Sequence, residues 1–128
     1  MEQRLLKLAD SLYTSQDNTD GLIPEGKSVG DVKVQGLKSM YKNKFNTEAA
    51  ALLSRTDWYV IKAADVTDYN VPSNIATYRA AVRTKVNAME TSIDGCSDVD
   101  ALITLLTYTT DSEGVTSRPL GEFPDEVV

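Results

Sequence analysis

Apolar residues recur at helical spacing along much of the chain, most regularly from residue 73 to residue 94. There Ile75, Tyr78, Val82, Val86, Met89 and Ile93 step by 3 or 4 positions for five turns, after Pro72-Ser73 and before Gly95. Leu5, Leu8 and Leu12, widened by Leu6, Ala9 and Tyr13, predict an amphipathic helix over 2–14. Leu37, Met40, Tyr41 and Phe45 predict another, with Lys38, Lys42 and Lys44 turned outward. Asn46-Thr47 is a capping pair before Glu48-Ala49-Ala50-Ala51-Leu52-Leu53, a short helix ended by Thr56-Asp57. Ser97-Asp98 repeats that logic before Ala101–Leu106. Between these stretches, Val32 with Val34 and the run Trp58-Tyr59-Val60-Ile61 read as brief extended pieces. Residues 15–31 and Asp65–Asp68 read as polar loops, and Asp111-Ser112-Glu113-Gly114 as a tight turn with short extended arms. The tail from Arg118 to Pro124 holds two prolines and cannot be helical. The pattern predicts a mainly α single domain over 1–128, with four to five helices and a short extended segment or β-hairpin near the C-terminus. It divides into 1–46, a central 47–94 and an acidic 95–128.

Composition narrows the chemistry. The chain has 128 residues, 41% apolar and 25% charged, so a real core can form without staples. There is no histidine, which removes imidazole bases and ligands, and the single Cys96 removes internal disulfides and multi-thiolate zinc sites. No apolar run approaches the ~20 residues of a membrane span, and Met1-Glu2-Gln3-Arg4 does not open a signal peptide. These features point to an intracellular, soluble, non-enzymatic protein away from membranes. The net charge is −6, and residues 95–128 carry all of the excess, with Arg118 against seven acids. That segment would repel a phosphate backbone, so nucleic acid is not an expected partner. It reads as a solvated acidic end, with arginines elsewhere in the chain or on another protein as the sharper alternative.

Gly21-Leu22-Ile23-Pro24-Glu25-Gly26-Lys27-Ser28 fits the phosphate-loop pattern G-x-x-x-x-G-K-S. Its surroundings do not suit that chemistry: Ser15–Asp20 is too polar for the buried strand required, and Val29-Gly30-Asp31 starts a helix poorly. Nucleotide binding there is the weaker alternative. Gln16–Gly21 matches a calcium loop only faintly, with Lys27 standing where a bidentate acid belongs. Asp65 with Asp68 and Asp98 with Asp100 read as turn and cap residues rather than paired catalytic acids. No catalytic, cofactor-binding or metal-ligating residue is expected.

The informative residues lie at 48–94. Trp58, the only tryptophan, reads as a core plug after a short helix. Tyr78 belongs to the apolar stripe of the long helix, while Arg79 and Arg83 stand four apart on a neighbouring face, favourable only if carboxylates approach them. Leu52-Leu53 followed by Thr56-Asp57-Trp58, a polar loop, then Val71-Pro72 and Tyr78-Arg79-Ala80-Ala81-Val82-Arg83, resembles the bacteriophage tail assembly chaperone family. Ala63-Ala64-Asp65 departs from the Pro-Asp turn that many members show, and the first 46 residues and the tail lie outside the match. The resemblance implies a non-catalytic protein in the cytoplasm of an infected bacterium, binding unassembled tail or tail-fibre subunits, with homo-oligomerisation left open. A minor structural protein of the mature virion is the alternative. Trp58, Tyr78, Arg79 and Arg83 are the candidate core or interface cluster, the two aromatics packing the short helix on the long one and the arginines pairing with carboxylates.

Overall fold

A computed structural model describes residues 8–126. It is mainly helical, with two short antiparallel strand pairs. The stripe at 73–94 forms helix α4 (Ser73–Asp94), and all six of its apolar positions are buried. Helix α2 (Leu37–Ser54) packs along it in the opposite direction. Lys38 and Lys42 at the start of α2 reach Asp94 at the end of α4, each at 2.8 Å, while Leu53 at the end of α2 meets Arg79 near the start of α4. The lysines place positive charge on an α4 C-terminus whose own last turn carries none.

Helix α5 (Val99–Leu106) starts at Asp98, whose carboxylate accepts from the Ala101 amide at 2.7 Å, as the capping pattern predicts. It sends Leu102 into a core built from Phe45, Ala49, Tyr78, Val82, Val86, Met89, Ile93, Cys96, Leu102 and Leu120. Strands β3 (Thr109–Thr110) and β4 (Thr116–Ser117) form the expected hairpin. Its turn closes through Asp111 Oδ1, which accepts from Glu113 and Val115, and Gly114 takes φ +83°.

The amino-terminal reading needs correction. Residues 2–7 lie outside the described residues, but 8–14 are not helical: Ser11–Leu12 forms β1, which pairs antiparallel with β2 (Val32–Val34), as the Val32/Val34 pattern suggested for the second strand. Within the supposed loop, Ser15–Thr19 forms a short helix α1, fixed by a capping box between Thr14 and Asp17. Gly36 then packs so closely on Ala9 that a Cβ there would run into backbone, and its amide donates to Asp10 Oδ1 at 2.7 Å.

Two further boundaries move. Asn46-Thr47 does not separate two helices; Asn46 instead donates to the Lys42 carbonyl inside the continuous α2, so the division at 46/47 falls within one helix. The run at 58–61 is not extended but belongs to helix α3 (Asp57–Asp65). Asp57 in its first turn and Lys62 in its last both complement the helix dipole, which offsets the strand preference of Tyr, Val and Ile.

Candidate functional site

The candidate residues meet where α2 hands over to α3. Only Arg55 and Thr56 separate these helices. Thr56 is buried, and its hydroxyl donates back to the Leu53 carbonyl at 3.1 Å instead of capping α3. Arg79 arrives from α4, and one Nη donates to Leu53 O at 2.9 Å and Thr56 Oγ1 at 2.8 Å while lying 2.9 Å from Asp57 Oδ1 as an ion pair. The guanidinium side chain is 14% exposed, so these contacts replace most of its water. It therefore cross-links the α2 end, the connecting turn and the α3 start.

The four sequence candidates separate into different roles. Tyr78 is a core residue, buried in the same cluster as Phe45 and Ala49 of α2. Arg79 does take a carboxylate, that of Asp57. Arg83 is exposed and forms no ion pair among the described residues. Trp58 is not a core plug: it is 53% exposed and stacks on Tyr59, with centroids 3.8 Å apart, rather than on Tyr78. The reason is the position of α3, which runs off the end of α2 and contributes no buried residue.

That placement leaves an apolar outer face on α3. Trp58, Val60 and Ile61 are all exposed, Ile61 to 60%, while Tyr59 and Ala63 turn partly inward. Lys62 lies over the Tyr69 ring at 4.4 Å and ties the following loop to the helix. Sequence reasoning missed Thr56 and Asp57 as bonding partners and Val60 and Ile61 as surface. The Thr56-Asp57 pair, with Lys62 five residues beyond Asp57, is the helix-start signal the sequence carries there.

The remaining candidates are placed differently. The loop at 21–28 follows α1 rather than a strand and leads to Gly30 and β2 rather than to a helix. Its Leu22, Lys27 and Ser28 amides donate to Asp17 O, Pro24 O and Asp31 Oδ2, so they do not form a phosphate cradle. The acidic tail is docked rather than simply solvated. Leu120 is buried, Arg118 lies over the Phe45 and Tyr108 rings and pairs with Glu122 at 3.0 Å, and Arg55 pairs with Glu126. Among the described residues no three cysteine, aspartate or glutamate side chains gather as a metal would need, and no helix is long and apolar enough to cross a membrane.

No family model, curated protein sequence or solved structure matches the chain.

Proposed function

We propose that this protein acts without catalysis as a bacteriophage tail or tail-fibre assembly chaperone, using the outer face of α3 to cover apolar surface on an unassembled subunit. The observation that carries the reading is the exposed Trp58–Ile61 face, apolar side chains set on a helix with no buried residue of its own. Exposed apolar side chains that are neighbours on one helix face mark an interaction surface more readily than apolar residues scattered singly. The two halves of the resembling stretch also come together, since Thr56 and Asp57 from the first half both contact Arg79 from the second. This arrangement holds the base of α3 while leaving its outer face free.

The surface is small. Trp58 at 53% exposure offers about 130 Å² of the ~250 Å² such a side chain can bury, and its neighbours add a similar amount. That is well short of the ~800 Å² per partner found in stable complexes, and suits a helper that must later release its client. The test is co-expression of a tail-fibre protein with this chain or with Trp58→Ala. The unaltered chain should keep the fibre protein soluble and Trp58→Ala should not, while the variant's own melting temperature stays within about 3 °C. Equal support from both chains rejects the assignment of α3.

A further inference from the structure

A groove runs between α2 and α5. Leu37, Met40, Tyr41 and Lys44 line it from α2. Val99, Leu102, Ile103 and Leu106 line it from α5. Both sets step by i, i+3, i+4 and i+7, so each helix turns one face to the same trough. The trough holds about 210 Å³ between the helices and about 280 Å³ on the shelf beside Met40 and Lys44. Leu102 at its floor is buried, while Met40 and Ile103 at its rim are 46% and 54% exposed. Among the described residues Lys44 is the one charged lining side chain, so the groove calls for an apolar occupant.

The described residues begin at the head of this groove. The Leu8 carbonyl accepts from the Lys38 amide at 3.0 Å, next to Leu37, and Leu8 packs on the same core as Leu37 and Tyr41. The close approach of Gly36 to Ala9 and its amide bond to Asp10 fix residues 8–10 across the first turn of α2. Seven residues precede Leu8 in the sequence, and two of them are Leu5 and Leu6. At most ~3.5 Å per residue puts Leu6 and Leu5 within about 7 and 10 Å of Leu8. From Leu37 to Lys44 the α2 wall is seven helical steps, about 10 Å at ~1.5 Å each. The reach of the leucines therefore matches the length of the groove. Charge agrees with this: Arg4 and Lys7 flank the leucine pair, and α5 opens with the exposed acids Asp98 and Asp100.

We infer that this groove is the docking site of the chain's own residues 1–7, with Leu5 and Leu6 laid between the α2 and α5 stripes. Because the segment is tethered at Leu8, its docking is intramolecular and needs far less buried area than a separate partner would. Covering Met40 and Ile103 removes an apolar patch that would otherwise face water. The inference is independent of the assembly reading, which concerns the outer face of α3.

A nitroxide attached at Gln3→Cys in a Cys96→Ala chain tests it by NMR. The label should broaden the amides of Lys44, Ile103 and Leu106. That broadening should fall at least ~3-fold when Leu5→Ser and Leu6→Ser remove the apolar pair and with it the docked population. A labelled chain mixed with an isotope-enriched, unlabelled one should leave the same amides of the second chain sharp. Broadening across the mixture would make a second copy the occupant and overturns the inference. So does an absence of broadening, or broadening that survives loss of both leucines. A second measurement avoids the Cys96 change. In the unaltered background, Leu5→Ser with Leu6→Ser should lower the melting temperature by about 5 °C, and by less than half as much once Ile103→Ser has removed the facing side chain. Equal losses with and without Ile103 overturn the inference as well.

Discussion

Arg79 and Arg83 are indistinguishable as a pair in the sequence, one turn apart on the same helix. Their surroundings separate them. Arg79 is nearly enclosed, donates to a backbone carbonyl and a buried hydroxyl and pairs with a carboxylate, whereas Arg83 is exposed. Hydrogen bonds from a charged group to enclosed acceptors are worth more than an ion pair with the half-exposed Asp57. Arg79→Ala should therefore cost about 2 kcal/mol in urea unfolding, Asp57→Asn no more than about 0.5, and Arg83→Ala nothing outside about ±0.5. A loss for Asp57→Asn as large as that for Arg79→Ala would mean the ion pair, rather than the carbonyl and hydroxyl contacts, holds the junction. Tyr78 was legible as core because its stripe is long and regular. Trp58 was misplaced because a lone tryptophan carries the same hydrophobic signal whether it faces core or solvent.

Legibility of the elements followed the length of their pattern. Helix α4 was readable to the residue, since six apolar positions in phase leave no other solution, and α5 was fixed by its aspartate cap. Helix α3 was not, because four strand-favouring residues in a nine-residue helix outweigh its terminal charges in any local reading. Its helical state depends on the junction to α2 and α4, since an isolated helix this short is marginal in water. A helix that buries no side chain should also open locally at low cost. Amide exchange of Ile61–Asp65 should be at least ~100-fold faster than that of Val82–Met89 in α4. Arg79→Ala should speed the α3 amides further while leaving the α4 centre unchanged. Equal protection of the two helices would show that α3 shares the stability of the core.

At the scale of the whole molecule, the sequence located the acidic end but not its docking. The contacts of Leu120, Arg118 and Glu126 join positions far apart in the chain, and no local pattern encodes them. The ionisable groups set by this long-range packing and by local caps also give the stability a definite pH profile. The Gly36 amide, with Ser39, holds Asp10 below its ordinary 3.8, and the Thr14 amide does the same for Asp17. As acid is added, the unfolded chain binds those protons first, so their contribution, present above pH 4, is lost as the pH falls below it. The alkaline side has the opposite sign. Burial, aided by Glu126, raises the Tyr78 hydroxyl above its ordinary 10.0; the hydrogen bond with Glu122 raises Tyr108, and that with Asp94 raises Lys42 above 10.5. The unfolded chain then releases these protons before the native one, and stability declines as the pH rises above about 10. Urea midpoints should form a plateau from about pH 5 to 9 and fall on both sides. Tyr78→Phe removes the most enclosed of the alkaline groups and leaves the ring in place, so it should reduce the loss between pH 9 and 11 while leaving the acid limb unchanged. An alkaline limb identical to that of the unaltered chain would place the Tyr78 hydroxyl in contact with water rather than in an enclosed site.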